Sequence, residues 1–246
     1  MEQQEENGTA GLYRINKFIA AFGKIARRKA DEYILQGRVT LNNITITEPG
    51  YKVNPSIDKV SVDGEEIKTD KRIIYIMLNK PEGIITTTSD EKRRKTVLDL
   101  VKVNERIFPI GRLDYNTTGI LILTNDGETA NKLMHPKYEF EKKYIVKLSR
   151  PLQEKHRAYI EKGTMLDGVK TKPGKIKFTR RNDFTNVQIT ITEGRNHQVK
   201  RIFEKFGYFV KKLHRSEYAG LTPGNLKEGE WRYLTQEEVK KLVVSS

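Results

Sequence analysis

The 246-residue sequence contains no cysteine, four histidines and no uninterrupted run of 18 apolar residues. The lack of cysteine excludes disulfides, zinc ribbons, thiol nucleophiles and iron–sulfur clusters. The lack of a long apolar run predicts that the chain has no membrane-spanning helix. The first eleven residues are polar and have no apolar core of the kind that a secretory signal requires. We therefore expect a cytoplasmic protein that does not associate with membranes.

Several motifs that bind ligands are also missing. The sequence has no G-x-G-x-x-G dinucleotide loop, no Walker phosphate loop, no H-E-x-x-H zinc motif and no G-x-S-x-G nucleophile elbow. The four histidines are not spaced like metal ligands: His135, His156, His197 and His214. We expect neither a metal nor a cofactor.

Positive charge, by contrast, is in excess. The chain has 46 Lys and Arg against 32 Asp and Glu, which gives a formal net charge of +14. Such a balance is typical of proteins that bind nucleic acids, because each phosphate contact releases condensed counterions. The alternative is a basic surface that only maintains solubility.

The pattern along the chain predicts a tail over residues 1–11, a small unit over 12–68 and a larger domain over 69–246. In the small unit, helical spacing predicts helices over 15–22 and 26–36, and hairpin turns are expected at Asn42-Asn43 and Asp63-Gly64. The larger domain mixes strands and helices without a regular βαβ alternation. This predicts an α+β fold.

The first segment with potential for chemistry is GRLDYNTTG at 111–119, directly before the apolar run 120–123. Arg112 and Asp114 lie two residues apart in a loop of small residues. A loop that leads into a buried strand can hold a carboxylate in a cleft. The alternative is that Asp114 only accepts hydrogen bonds from nearby backbone in an Asx-turn.

The second segment is EKKYIVKL at 141–148, and the third is EGRNHQVKRIF at 193–203. Strand alternation puts Tyr144 on a buried face, where a tyrosine is usually a core residue with its hydroxyl at the rim. Asn196 is predicted to cap a helix, and Lys200 lies in the first turn, where a lysine is normally solvated. With Arg195 and Arg201, this helix N-terminus is also a candidate anion site.

Together, and in this order and spacing, these three motifs resemble those of the pseudouridine synthases of the RsuA/RluB family. The resemblance extends over residues 12–240 and includes LNKPEGIITT at 78–87 and EGEWRYLT at 228–235. It implies an α+β catalytic fold with a mixed, mainly antiparallel sheet and flanking helices, preceded by a small αL RNA-binding domain. It also implies a monomeric enzyme that isomerises a uridine of ribosomal RNA to pseudouridine without metal or cofactor.

The resemblance assigns roles to single residues. It makes Asp114 the nucleophile, Tyr144 the tyrosine beside the uracil ring, and Lys200 the basic partner of Asp114. Arg112 either fills the space left by the flipped nucleotide or contacts a phosphate. Further RNA contacts are predicted for basic residues of both domains: Lys17, Arg27, Arg28, Lys29, Arg38, Arg195, His197 and Arg201.

The target within ribosomal RNA is a separate question. The stretches 120–127 and 133–136 look more like the large-subunit members of the family, with free ribosomal RNA or a pre-ribosomal particle as the partner. The alternatives are a uridine of the small subunit, or a non-catalytic ribosome-assembly factor that binds RNA only. A methyltransferase fused to the same module is disfavoured by the missing glycine-rich loop.

Overall fold

A computed structural model of the protein describes residues 12–70 and 72–244. The tail predicted over residues 1–11 lies outside the described residues. The described residues divide into two compact units, and the boundary lies between Ile73 and Ile74.

Within residues 12–70, the first unit consists of two helices and six short strands. The helices are α1 (Ile15–Phe22) and α2 (Arg27–Leu35), and the strands are β1 (Tyr13–Arg14), β2 (Val39–Leu41), β3 (Ile44–Ile46), β4 (Lys52–Val53), β5 (Val60–Val62) and β6 (Glu65–Glu66). The antiparallel order β3-β2-β5-β6 forms one sheet, and β1 pairs with β4.

Local sequence explains this unit. Ile15, Phe18 and Ile19 are fully buried, as the helical spacing predicts. Asn42 and Asn43 have φ values of 50° and 68°, the left-handed conformation that a two-residue hairpin turn requires. The two predicted helices and both predicted turns are therefore confirmed.

The second unit, over residues 74–244, contains ten strands, five α-helices and one 3₁₀ turn (Pro136–Tyr138). The strands are β7 (Tyr75–Lys80), β8 (Phe108–Pro109), β9 (Thr117–Thr124), β10 (Lys142–Leu148), β11 (Met165–Leu166), β12 (Val169–Lys170), β13 (Lys175–Arg180), β14 (Asp183–Ile191), β15 (Val210–Tyr218) and β16 (Trp231–Tyr233). The helices are α3 (Val97–Leu100), α4 (Gly127–Met134), α5 (Glu154–Glu161), α6 (Gln198–Glu204) and α7 (Gln236–Val244).

A mixed sheet with the order β13-β14-β10-β15-β9-β7-β16 forms the centre of this unit, and β8 pairs with β9 at its side. Among the described residues, β15 and β9 run parallel and the other pairs of this sheet are antiparallel. The mixed, mainly antiparallel sheet is thus confirmed. The parallel pair sets the middle of β15 (Leu213–Arg215) beside the start of β9 (Thr117–Gly119), where the Asp114 loop enters the sheet.

The central strands are buried on both faces. On β9, Leu121 and Leu123 pack into one apolar cluster, and Ile120 and Ile122 into another on the opposite face. Because neighbouring side chains of a strand point to opposite faces, a continuous apolar run is required here. The rigid sheet that results is the support for the loops at its edge.

Gly119 marks the tightest approach between β9 and β15. Its φ is +110°, and a Cβ at this position would lie 2.2 Å from the carbonyl oxygen of Arg215. We expect Gly119→Ala to lower the free energy of unfolding by about 3 kcal/mol or more, because backbone strain and overpacking add. Denaturant unfolding measures this. Gly127→Ala is the control, since its Cβ would meet only Phe108 at 3.9 Å; equal stability of the two variants would contradict the prediction.

Candidate active site

Loops and strand ends of the second unit enclose a cleft of about 600 Å³. Its lining comes from residues 86–88, the loop before β9, strand β10, the loop before α6, and strand β15, among others. Five of the residues with a predicted catalytic or RNA-binding role line it: Arg112, Asp114, Tyr144, Arg195 and His197. Residues of three separate motifs therefore meet at one site.

The loop before β9 holds Asp114 in a defined position. The hydroxyl of Thr86 donates to the carbonyl of the buried Leu113 at 2.8 Å, and the N–H of Thr117 donates to the carbonyl of Asp114 at 3.0 Å. The Asp114 side chain is 29% exposed. No backbone N–H of the described residues donates to its carboxylate, so the Asx-turn alternative is not seen.

Lys80 holds the same loop in place, although the sequence did not identify it as a site residue. It is fully buried at the end of β7, and its Nζ donates to the carbonyls of Pro81, Asp114 and Thr117 at 3.0, 3.1 and 3.0 Å. Burial lowers the pKa of Lys80 to about 8. Its sequence signals were its position after a strongly apolar run and its place in the LNKPEGIITT segment at 78–87.

Two cationic or ionisable side chains of the third motif approach the Asp114 carboxylate. Lys200 Nζ lies 3.0 Å from Asp114 Oδ2, and His197 Nε2 lies 3.4 Å from Asp114 Oδ1. Lys200 belongs to α6, whose residues Val199 and Ile202 are buried and fix the helix against the sheet. The carboxylate is therefore ion-paired on one side and open to the cleft on the other.

The predicted capping of α6 by Asn196 is wrong. His197 occupies the N-cap position with a left-handed φ of 47° and makes no side-chain cap hydrogen bond. Instead, the side chain of Gln198 accepts from the N–H of Arg195 at 2.8 Å and donates to Glu193 at 2.6 Å. This bridge holds the loop, so neither Asn196 nor His197 is required as a cap.

Tyr144 is both a core residue and part of the cleft lining. It is 8% exposed and packs in the larger apolar cluster of the second unit. Within the described part of the chain its hydroxyl has no hydrogen-bond partner. The ring is thus held firmly while the hydroxyl is available to a ligand.

The arginines near the cleft differ in what they contact. Arg112 is exposed and makes no ion pair with a described residue. Arg195 donates to the carbonyls of Val169 and Lys170 at 3.1 and 2.9 Å, and Arg201 pairs with Asp167. These two arginines therefore hold the β11–β12 turn.

The basic residues of the first unit also differ in whether another side chain of the protein already contacts them. Lys17 Nζ lies 4.8 Å from the ring centroid of Tyr13, Lys29 pairs with Glu32 at 2.6 Å, and Arg38 pairs with Asp63 and stacks on Tyr33. Arg27 and Arg28, at the start of α2, are exposed, and no acidic group of the described residues lies within 4 Å of either. These two are the best placed for a ligand.

Two further findings concern residues 12–70 and 72–244 alone. They contain no group of three or more histidine, aspartate or glutamate side chains that could hold a metal ion. No helix among them is long and apolar enough to cross a membrane.

Comparison with known proteins identifies the class of protein as an RNA pseudouridine synthase. Residues 74–205 match the family model described as RNA pseudouridylate synthase, and residues 14–56 match the S4 domain. The chain belongs to the RNA pseudouridylate synthase family. The resemblance to RsuA/RluB-type enzymes and the α+β fold class are both confirmed.

Individual relatives show which members of the family this chain is similar to. Ribosomal large subunit pseudouridine synthase B of Bacillus subtilis is 45% identical over 235 residues, which cover 94% of this chain and 96% of that protein. The dual-specificity RNA pseudouridine synthase RluF of Escherichia coli K12 is 39% identical, covering 92% of this chain and 77% of that protein. A crystal structure of a pseudouridylate synthase matches with a TM-score of 0.69 and 34% identity, covering 93% of this chain and 99% of that one.

Proposed function

We propose that this enzyme converts a uridine of large-subunit ribosomal RNA to pseudouridine, with Asp114 as the nucleophile. The substrate is supported by the Bacillus subtilis relative, whose name gives the ribosomal large subunit. The nucleophile rests on one observation: the Asp114 carboxylate faces the cleft and lies 3.0 Å from Lys200. The enzyme acts as a cytoplasmic monomer and without metal or cofactor.

The residue types suit the reaction. The C1′–N1 bond breaks, and both electrons stay on the uracil. The carboxylate of Asp114 bonds to C1′ or stabilises its positive charge, as carboxylates do in glycoside hydrolysis. Lys200 Nζ supplies a positive charge 3.0 Å from this carboxylate. The base then turns, and C5 bonds to C1′ while any bond between C1′ and the Asp114 carboxylate breaks. C5 loses a proton and N1 gains one, so the product is an isomer.

The target nucleotide must leave its stack, which costs a few kcal/mol. The buried ring of Tyr144 supports the uracil, and its unpaired hydroxyl is available for the proton transfer. Arg112, exposed at the cleft, either fills the vacated space with its planar guanidinium or contacts a phosphate.

The main alternative is a non-catalytic assembly factor. A surface that only binds RNA gains nothing from a carboxylate in its cleft, because phosphates repel it. The test is to incubate the protein with ribosomal RNA from a strain that lacks the gene, and to map pseudouridine by carbodiimide modification. One new pseudouridine in large-subunit RNA is expected; none in either RNA would contradict the function, and one in small-subunit RNA would correct the target.

Residues 12–68 form the RNA-binding domain in this proposal, and residues 69–246 the catalytic domain. The match of residues 14–56 to the S4 domain supports this division. Arg27 and Arg28 lie at the N-terminus of α2, where the helix dipole adds positive potential. Lys29 and Arg38 are held by acidic partners, at Glu32 and Asp63. We propose the two unpaired arginines as the phosphate contacts of this domain.

Changing both Arg27 and Arg28 to glutamine should raise KM for RNA and leave kcat nearly unchanged. The slope of log affinity against log salt should fall by about 0.7–0.9 for each phosphate that is no longer bound. Filter binding over a salt series measures it. Changing Lys240 and Lys241 to glutamine removes the same charge from exposed positions on α7. Equal effects of the two pairs would mean that net charge alone matters.

A further inference from the structure

Two buried cations, Lys142 and Arg215, line the cleft together with Asp114. They lie on neighbouring strands, where β10 and β15 pair Lys142 with Tyr218 and Tyr144 with Arg215. We propose that they bind the carbonyl oxygens of the detached uracil and stabilise its negative charge while it turns, an inference that rests on the proposed function.

Neither cation has a carboxylate within 4 Å among the described residues. Lys142 is 9% exposed and Arg215 is 2% exposed. Lys142 Nζ donates to the carbonyl of Phe140 at 3.0 Å, and Arg215 Nε donates to the carbonyl of Ile120 at 2.8 Å. Arg215 Nη2 is buried without a hydrogen-bond partner. A buried donor that lacks an acceptor is costly, so this group suits an oxygen supplied by a ligand.

The charges that surround Lys142 leave it positive at neutral pH. Burial lowers its pKa to about 8, the Arg215 charge lowers it as well, and Glu193 raises it. Glu193 is engaged elsewhere: it accepts from Gln198 at 2.6 Å and lies 3.4 Å from the Arg195 guanidinium. Lys142 and Arg215 thus give the cleft an excess of positive charge, which a negatively charged ligand would offset.

The reaction produces such a ligand. When the C1′–N1 bond breaks, the electron pair left on uracil is shared by N1 and the oxygens O2 and O4. To present C5 to C1′, the ring turns about the axis through N3 and C6, and this turn exchanges O2 with O4. Two donors that bind carbonyl oxygens therefore fit the base before and after the turn. Donors placed where charge develops are the largest source of rate acceleration in many enzymes.

The experiment compares Lys142→Met and Arg215→Met with the wild type in single-turnover conversion of an rRNA transcript made with uridine or with 5-fluorouridine. At pH 6.5 both bases keep their N3 proton. Fluorine itself stabilises the uracil anion, so the cations should matter less. Each variant should lose about 10²–10³-fold on the uridine transcript, and clearly less on the fluorouridine transcript. Chromatography after nuclease digestion measures the loss of the N-glycoside.

The controls separate charge stabilisation from folding. Lys147→Met removes a lysine of the same strand that lies outside the cleft and donates to Thr185; it should convert both transcripts at the wild-type rate. A wild-type rate for either cleft variant, or an equal loss on both transcripts, would overturn the inference. No conversion of either transcript by the wild type would count against the proposed function itself.

A second measurement decides the matter if the methionine variants do not fold. The charged and titratable groups that face Lys142 are Arg215, Glu193 and Tyr218. Because the pKa of Lys142 is about 8, the wild-type rate on uridine should fall as pH rises through 8. Lys142→Arg keeps its charge there and should remain active to higher pH. An unchanged profile would overturn the inference, since Lys80, with a similar pKa, would then account for the fall.

Discussion

Asp114→Asn should abolish pseudouridine formation and leave RNA affinity equal to, or higher than, that of the wild type. The carboxamide keeps the size and the hydrogen-bonding shape of the side chain, but it is neutral and a poor nucleophile. Loss of a nucleophile typically lowers kcat by about 10⁴-fold or more. Removing one negative charge from the cleft should at the same time reduce its repulsion of phosphates.

Pseudouridine counting by mass spectrometry and filter binding of the same RNA measure the two effects. Asp167→Asn is the matched control, because Asp167 is 75% exposed, pairs with Arg201 and lies outside the cleft lining. It should retain turnover. Multiple turnover by a pure Asp114→Asn enzyme would refute the nucleophile assignment. Loss of both turnover and RNA binding would indicate that Asp114 instead maintains the structure of the cleft.

Local physical rules predicted much of the fold. Helical spacing located α1 and α2. Asp126 caps α4 by accepting from the N–H groups of Glu128 and Thr129, which agrees with the preference of helix N-caps for aspartate. The strands extend further than the apolar patterns in the sequence: β14 begins at Asp183, four residues before the apolar alternation that starts at Val187. Hydrogen bonding to a neighbouring strand continues through polar residues. The apolar pattern of one segment therefore does not predict where its strand begins.

The same rules predicted less of the candidate active site than of the fold. Asp114 and Lys200 are far apart in sequence, and only the family resemblance linked them. Lys80, Lys142 and Arg215 were not singled out, because a single cation next to apolar residues usually lies at a solvated edge. Burial of these three depends on the order β10-β15-β9-β7 within the sheet, which periodicity does not predict.

The S4-domain match and the cleft also explain why the basic residues are not equivalent. Arg38, Arg195 and Arg201 have the charge expected of RNA ligands, but each holds a protein group in place. Arg27, Arg28 and Arg112 have no ion pair with a described residue. Net charge identified the class of ligand, and the partners of each side chain indicate which residues remain to bind it.

Lys200→Ala should lower kcat by about 10²–10³-fold, because it removes the cation 3.0 Å from the nucleophile. Lys200→Arg should retain much of the rate, since an arginine restores the charge. Lys205→Ala, an exposed lysine just after α6, should have no effect. Wild-type turnover by Lys200→Ala would mean that the ion pair is not part of the catalytic machinery.

Stability measurements distinguish this pairing from a general role in folding. In Lys200→Ala the carboxylate of Asp114 loses its counter-charge, so the free energy of unfolding should fall by about 1 kcal/mol. In the double variant with Asp114→Asn no unpaired carboxylate remains, so most of that loss should disappear. A double-mutant cycle by denaturant unfolding measures the difference. Additive effects would show that the two side chains do not interact despite their 3.0 Å separation, and the activity loss would then need another cause.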